Sequence, residues 1–250
     1  VIISFDKEGG GSITLNKIYP NADEAVADIP DGATVMLHSI VGPGGIPQNL
    51  ILALRNQGAK NLTIISGNFN LGWVMGRFLP DVITSNILVE NKQVKKVILW
   101  FAMLERVMGV KAPLDQAVAR GEVELEIVPM GTLTERIRAG GAGIGGFYSP
   151  VGIGTSYEVG KEKRVINGKE YILELPLRAD FAFVRAHKAD KFGNLVYRGT
   201  SRCTNPVIAT AGDVVIAEVD EIVESGELDP ECIITPGIFI KRIVKVPQKR

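Results

Sequence analysis

The sequence predicts an α/β fold: an open, largely parallel sheet with helices on both faces, plus a smaller β-rich excursion. Three observations predict it. Short apolar or β-branched runs (Ala33 to Leu37, Asn61 to Ser66, Val94 to Leu99, Val214 to Val219) alternate with helical patterns, as in strand–helix–strand units. Ala33 to Leu37 and Val214 to Val219 are apolar on nearly every consecutive residue, as strands buried on both faces are. From Val165 to Leu173 the pattern changes to a hairpin around Asn167-Gly168, whose residues accept the left-handed angles of a two-residue turn. With 250 residues and no repeat or low-complexity linker, the chain reads as one domain over 1–250.

Val1 to Leu15 reads as a strand or a loose end. Asn21 caps a short helix, with Asp23 and Glu24 in its first turn and Ala25, Val26 and Ile29 on its inner face. Pro30-Asp31-Gly32 stops it. The central strand, Ala33 to Leu37, leads to a glycine loop, Val41-Gly42-Pro43-Gly44-Gly45-Ile46-Pro47-Gln48-Asn49-Leu50, and a helix ended by Gly58. The strand Asn61 to Ser66 opens onto Gly67-Asn68-Phe69-Asn70. A helix follows from Leu71 to Leu79, halted by Pro80. After the strand Val94 to Leu99 come helical stretches Phe101 to Met108 and Leu114 to Arg120, the second closed by Gly121. Val123 to Val128 is a strand with Glu122, Glu124 and Glu126 on its outer side. Thr132 as N-cap with Glu135 three residues later reads as a capping box, and Gly140 to Gly146 ends that helix. Ala179 to Ala186 and Val214 to Val219 are buried strands; Ile238 to Val246 alternates and reads as an edge strand.

Lys plus Arg and Asp plus Glu both number 28, so no basic excess points to nucleic acid. The two cysteines, Cys203 and Cys232, are too few for a disulfide scaffold and are expected as buried free thiols. The only histidines, His38 and His187, exclude a histidine-rich metal site. The densest apolar run, Val97 to Leu104, falls short of the ~20 residues that span a bilayer. No secretory signal pattern opens the sequence, so a cytoplasmic protein without membrane contact is expected.

The first glycine loop is the strongest local chemical signal. Gly42, Gly44 and Gly45 permit close approach of the backbone, and Pro47 suits a first helical turn. Such a loop presents N–H groups at the positive end of a helix, suited to an oxyanion or phosphate; a tight turn is the alternative. The second glycine stretch, Gly140 to Thr155, reads as a binding loop or lid rather than a surface loop. His38 ends an apolar strand with no evident carboxylate partner, and Lys188 with Asp190 reads as a surface or interface pair.

Several blocks together resemble a known family. They are Ile29-Pro30-Asp31-Gly32-Ala33-Thr34, Gly45-Ile46-Pro47, Gly131-Thr132-Leu133-Thr134-Glu135-Arg136-Ile137-Arg138-Ala139-Gly140-Gly141-Ala142-Gly143, Phe147-Tyr148, Lys188-Ala189-Asp190 with Gly193-Asn194, and Thr235-Pro236-Gly237-Ile238. The sequence resembles, over nearly its whole length, the A (alpha) subunit of family I coenzyme A transferases of the 3-oxoacid type. That resemblance implies transfer of CoA between an acyl-CoA thioester and a free carboxylic acid, through a glutamyl-CoA thioester. It implies CoA as a substrate and no permanently bound cofactor. It places the nucleophilic glutamate in a Ser-Glu-Asn-Gly motif of a partner B subunit. This sequence has no such motif, the nearest string being Val89-Glu90-Asn91-Lys92, so no catalytic nucleophile is expected here.

The resemblance also assigns substrate-side residues, with departures. Ser39, Ile40 and Val41 stand where the family has Gly-Gly-Phe, and Gln48 replaces the carboxylate after Gly-Ile-Pro. Asn68 matches the second asparagine of the family's Ser-Asn-Asn and is the expected substrate-facing amide. Met130 replaces a substrate-side glutamine and is expected as pocket wall. Phe147 and Tyr148 are expected acyl or pantetheine contacts. A pocket with fewer donors and a thioether favours a more apolar or bulkier acyl group. The alternatives are a CoA-thioester or ring-opening hydrolase on the same fold, a non-catalytic subunit, and, by sheet analogy alone, a sugar-phosphate isomerase-like enzyme.

Overall fold

In a computed structural model, which describes residues 4–5, 11–12, 16–39, 43–69, 81–101, 109 and 111–247, a nine-stranded sheet forms the centre. Its strands are β1 (Ile18–Tyr19), β2 (Thr34–Leu37), β3 (Leu62–Ser66), β4 (Val94–Leu99), β5 (Glu124–Ile127), β9 (Ala179–Asp190), β10 (Leu195–Val196), β11 (Gly212–Val223) and β12 (Ile240–Lys245). Their order is β1-β12-β11-β9-β2-β3-β4-β5, all neighbours parallel, with β10 antiparallel to the far end of β9. Between β5 and β9 the chain forms β6 (Phe147–Ser149), β7 (Lys163–Ile166) and β8 (Lys169–Glu174), a separate antiparallel sheet in the order β6-β8-β7.

The consecutive apolar residues divide between two cores. Val35, Leu37, Ile64, Val97, Leu99, Phe181 and Phe183 face one side; Met36, Ile65, Ile98, Ala182 and Val184 face the other. This is the period of two of a pleated strand with both faces covered. The first core is closed by α1 (Ala22–Val26), α2 (Gln48–Gln57), α3 (Asn86–Glu90) and α4 (Pro113–Ala119), through Val26, Leu50, Leu54, Leu88 and Leu114. The second is closed by α5 (Met130–Ala142) and α6 (Asn205–Ile208), through Leu133, Ile137 and Ile208.

Most local signals act as read. Asn21 caps α1 by accepting the Glu24 N–H at 2.9 Å. Gly58 closes α2 in the left-handed region, at φ 90°. Asn167 and Gly168 turn the β7–β8 hairpin at φ 50° and 75°. The helices expected from Leu71 to Leu79 and from Phe101 to Met108 lie outside the described residues, apart from Phe101.

Four expectations are corrected. Thr132 is no cap: α5 starts two residues earlier, after Pro129, whose fixed φ and missing N–H suit the helix boundary. Thr132 then falls on the inner side of the first turn, 4% exposed, and its Oγ1 has no hydrogen-bond partner among the described residues. β12 is no edge strand, because β1 pairs with its outer side. Cys203 and Cys232 are free but exposed, on turns rather than on strands. Lys188 and Asp190 have separate partners: Lys188 pairs with Glu221 at 2.7 Å, while buried Asp190 accepts the Asn194 N–H and Nδ2 at 2.9 and 2.7 Å.

The second glycine stretch begins as packing. A Cβ on Gly140 would stand 2.0 Å from the Leu177 carbonyl oxygen, and one on Gly141 2.2 Å from Thr210 Oγ1. α5 therefore lies directly on the chain entering β9 and β11. Arg136 fastens the small sheet to it, donating from Nε to the Leu175 carbonyl while its own carbonyl accepts the Leu177 N–H, both at 2.8 Å. Among the described residues no helix is long and apolar enough to cross a membrane.

Candidate active site

Because the sheet neighbours run parallel, the chain leaves β2, β3, β4 and β5 along one carboxyl edge, where open α/β sheets bind ligands. His38 and Ser39 follow β2, Gly67 and Asn68 follow β3, Trp100 and Phe101 follow β4, and Met130 follows β5. The Ser39 and Ser66 hydroxyls meet at 2.5 Å, and the Asn68 N–H donates to Ser39 Oγ at 3.3 Å. Asn68 pairs through its backbone with Phe101, and the Trp100 N–H donates to the Gly67 carbonyl at 3.3 Å. A Cβ on Gly67 would lie 2.4 Å from the Trp100 ring, so glycine is what lets the indole lie across this turn.

The first glycine loop closes over the same edge. Pro43–Gly45 form a 3₁₀ turn, Gly44 is exposed, and Gly45, Ile46 and Pro47 are buried. Gly42 lies outside the described residues. Pro47 stands just before α2 rather than inside its first turn. Asn205 Nδ2 donates to the Gly45 carbonyl at 3.1 Å. The His38 imidazole fills the space a side chain on Gly45 would need, its Nε2 standing 2.6 Å from that Cβ position. Its Nδ1 meets Thr204 Oγ1 at 2.6 Å. Burial pushes the His38 pKa down to about 4, so the ring is neutral at pH 7.

The amides at the start of α2 are not left for a ligand, as a free anion site requires. Glu218 of β11 takes them: its Oε2 accepts the Asn49 and Leu50 N–H groups at 2.9 and 3.1 Å, and its Oε1 accepts Asn49 Nδ2 at 3.0 Å. The helix dipole is thus met by an internal carboxylate. Gln48 is turned partly to the scaffold, its Oε1 accepting the Ile83 N–H at 2.8 Å.

The sequence-derived site residues fall into two groups. Gly44, Gly45, Pro47, Gln48, Asn68 and Met130 belong to the carboxyl edge, with Met130 62% exposed at the first turn of α5. Phe147 and Tyr148 lie on β6, reached only after α5 has crossed to the opposite edge, about 20 Å at 1.5 Å per residue. Both are half-buried, and the Tyr148 hydroxyl bonds Glu162. Sequence reasoning missed Ser39 and Ser66 as a pair, and missed Asn205 and Glu218. For Glu218 a signal existed: it is the lone acid in the apolar run Val214 to Val219. Among the described residues no group of three or more His, Cys, Asp or Glu could hold a metal ion.

The model of the coenzyme A transferase family matches residues 19–246. The chain belongs to the coenzyme A transferase family. It is 44% identical over 231 residues to the A subunit of the probable succinyl-CoA:3-ketoacid coenzyme A transferase of Bacillus subtilis, covering 92% of this chain and 90% of that one. It is also 44% identical over 232 residues to the A subunit of the 3-oxoadipate CoA-transferase of Pseudomonas putida, covering 93% and 94%. Both of these coenzyme A transferase relatives are named as A subunits, and the match spans nearly the full length of each. An acyl-CoA transferase from E. coli, crystallised as a thioester complex with CoA, shares the fold with a TM-score of 0.72 at 24% identity. The match covers 95% of this chain but spans only 48% of that polypeptide.

Proposed function

We propose that this chain is the A component of a two-component CoA transferase whose nucleophilic glutamate is carried by a B subunit. CoA moves between an acyl-CoA thioester and a free carboxylic acid. The partner's carboxylate attacks the thioester carbonyl and expels the CoA thiolate. The thiolate then attacks the glutamyl carbonyl, releasing the first acid and leaving a glutamyl-CoA thioester. An incoming carboxylate reverses both steps. CoA is a substrate, and no permanently bound cofactor takes part.

The observation that carries this reading is the near end-to-end match to A subunits, at 90% and 94% of their lengths, by a sequence without Ser-Glu-Asn-Gly. The carboxyl-edge group lines the acyl end of the site: Gly44, Gly45 and Pro47 through the loop backbone, Asn68 as an amide, Met130 as wall. Gln48 supports the loop from the scaffold. Phe147 and Tyr148, at the other end of α5, serve the pantetheine arm or the partner rather than a short acid. With an exposed thioether at Met130, the preferred acyl group is more apolar or bulkier than acetoacetate. Two free thiols suit a reducing cytoplasm.

The test is reconstitution. The chain alone should transfer no CoA; with its B subunit, activity should appear and labelled CoA should attach to a B-subunit glutamate. Full-speed turnover by the isolated chain, with CoA on one of its own acids, would overturn the proposal. Across an acyl series, a best rate on acetoacetate would remove the apolar preference.

A further inference from the structure

We propose that Glu218, a buried acid 168 residues from Leu50 in sequence, is a positioning residue that sets the glycine loop for acyl transfer by gripping the start of α2. The inference rests on the two-component transferase reading above.

Glu218 sits mid-strand on β11, 1% exposed, where flanking Val215, Ile216, Ala217 and Val219 are all buried apolar residues. A hydrophobic residue would fill such a position at lower cost than a carboxylate. The acid keeps three donors: two backbone N–H groups of the first turn of α2 and the Asn49 side chain. These fix where α2 begins, and so where Pro47 and the 43–45 turn stand above the carboxyl edge.

Arg185 joins this grip to a second one. It lies opposite Glu218 in the β9–β11 register, with Nε 3.5 Å from Glu218 Oε1. Its backbone N–H donates to Asn205 Oδ1 at 3.0 Å, and Asn205 Nδ2 donates to the Gly45 carbonyl. One residue of β9 therefore supports both the helix end and the turn of the loop. Beyond Arg185, Asp220 receives its guanidinium and also meets His187 Nδ1 at 3.1 Å. Burial pushes the Glu218 pKa up, against the opposing pull of Arg185 and the amide donors.

Glu218→Gln keeps the shape but turns an NH₂ toward donors. In the reconstituted enzyme it should lower kcat about tenfold or more while KM for the thioester stays within about threefold. Glu218→Asp, which keeps the charge, should recover part of the loss. Wild-type kcat in an assembled Glu218→Gln enzyme, or a raised KM with unchanged kcat, overturns the proposal. If Glu218→Gln does not assemble, Glu218→Asp decides: a lowered kcat at unchanged KM supports it and a wild-type kcat overturns it. Amide hydrogen exchange on the isolated chain gives a readout independent of activity. Faster exchange at Asn49, Leu50 and the turn before them in Glu218→Gln supports the grip, and unchanged exchange there overturns it. Inactivity of the wild-type pair would instead remove the transferase reading and leave the exchange result standing.

Discussion

A neutral imidazole packed behind a glycine makes the loop sensitive to acid. The His38 pKa falls from the ordinary 6.5 to about 4 on folding, because the buried ring has no charge partner. Between those values the unfolded chain binds a proton that the folded chain refuses, so stability drops as pH falls through that window. Above 6.5 this contribution is constant. Its full size is on the order of 3 kcal/mol at 1.36 kcal/mol per unit. Urea unfolding at a series of pH values should show the native protein losing stability from pH 6.5 toward 4 more steeply than His38→Leu. Equal slopes would mean that the ring is not held neutral. Close by, Gly67→Ala drives a Cβ into the Trp100 ring at 2.4 Å. The indole must move, at about 1–3 kcal/mol, and a shifted tryptophan emission should report it.

Among the elements, α5 shows how two glycines of one stretch answer to different demands. Gly140→Ala meets a backbone carbonyl at 2.0 Å, which cannot yield without parting α5 from the chain entering β9. Gly143→Ala meets nothing within 4 Å and strains only its own φ of 71°. The second substitution should cost about 1–2 kcal/mol and the first clearly more, as the difference in thermal midpoints will show. Glu174 anchors the small sheet in a comparable way, 1% exposed, with Lys161 at 2.6 Å and the Tyr157 hydroxyl at 3.0 Å. Glu174→Leu should loosen that sheet, and limited proteolysis should cut first between 150 and 165.

The strands of the central sheet were legible because burial on both faces leaves consecutive apolar residues, as in Val35-Met36-Leu37. The turn at the glycine loop was legible because a strand end followed by glycine is a local pattern, whereas Asn68 was singled out only through the family resemblance. Thr132 misled because its capping signal is also local, and Pro129 three residues before it outweighs that signal. The pairs Glu218–Leu50 and Asn205–Gly45 join residues 168 and 160 positions apart, and nothing in a short window announces them.

At the scale of the whole molecule, the sheet ends in two guarded margins. β1 is only two residues long, and β5 carries Glu124 and Glu126, each 2.9 Å from Lys96. Short or charged margins discourage sheet-to-sheet pairing, so partners are expected to meet faces and loops rather than strand edges. The exposed cysteines bear on how the partner's chemistry is traced. A thiolate at Cys203 or Cys232 can attack an activated ester, keeping the acyl half and releasing free CoA. Asp229 restrains Cys232 by holding its proton. Incubating the lone chain with a substrate radiolabelled in its acyl half should therefore give slow incorporation, absent when the nucleotide half carries the isotope and abolished in a Cys203→Ser, Cys232→Ser double variant. The glutamyl-CoA thioester obeys the opposite rule, since that adduct retains the nucleotide and has released the acyl half.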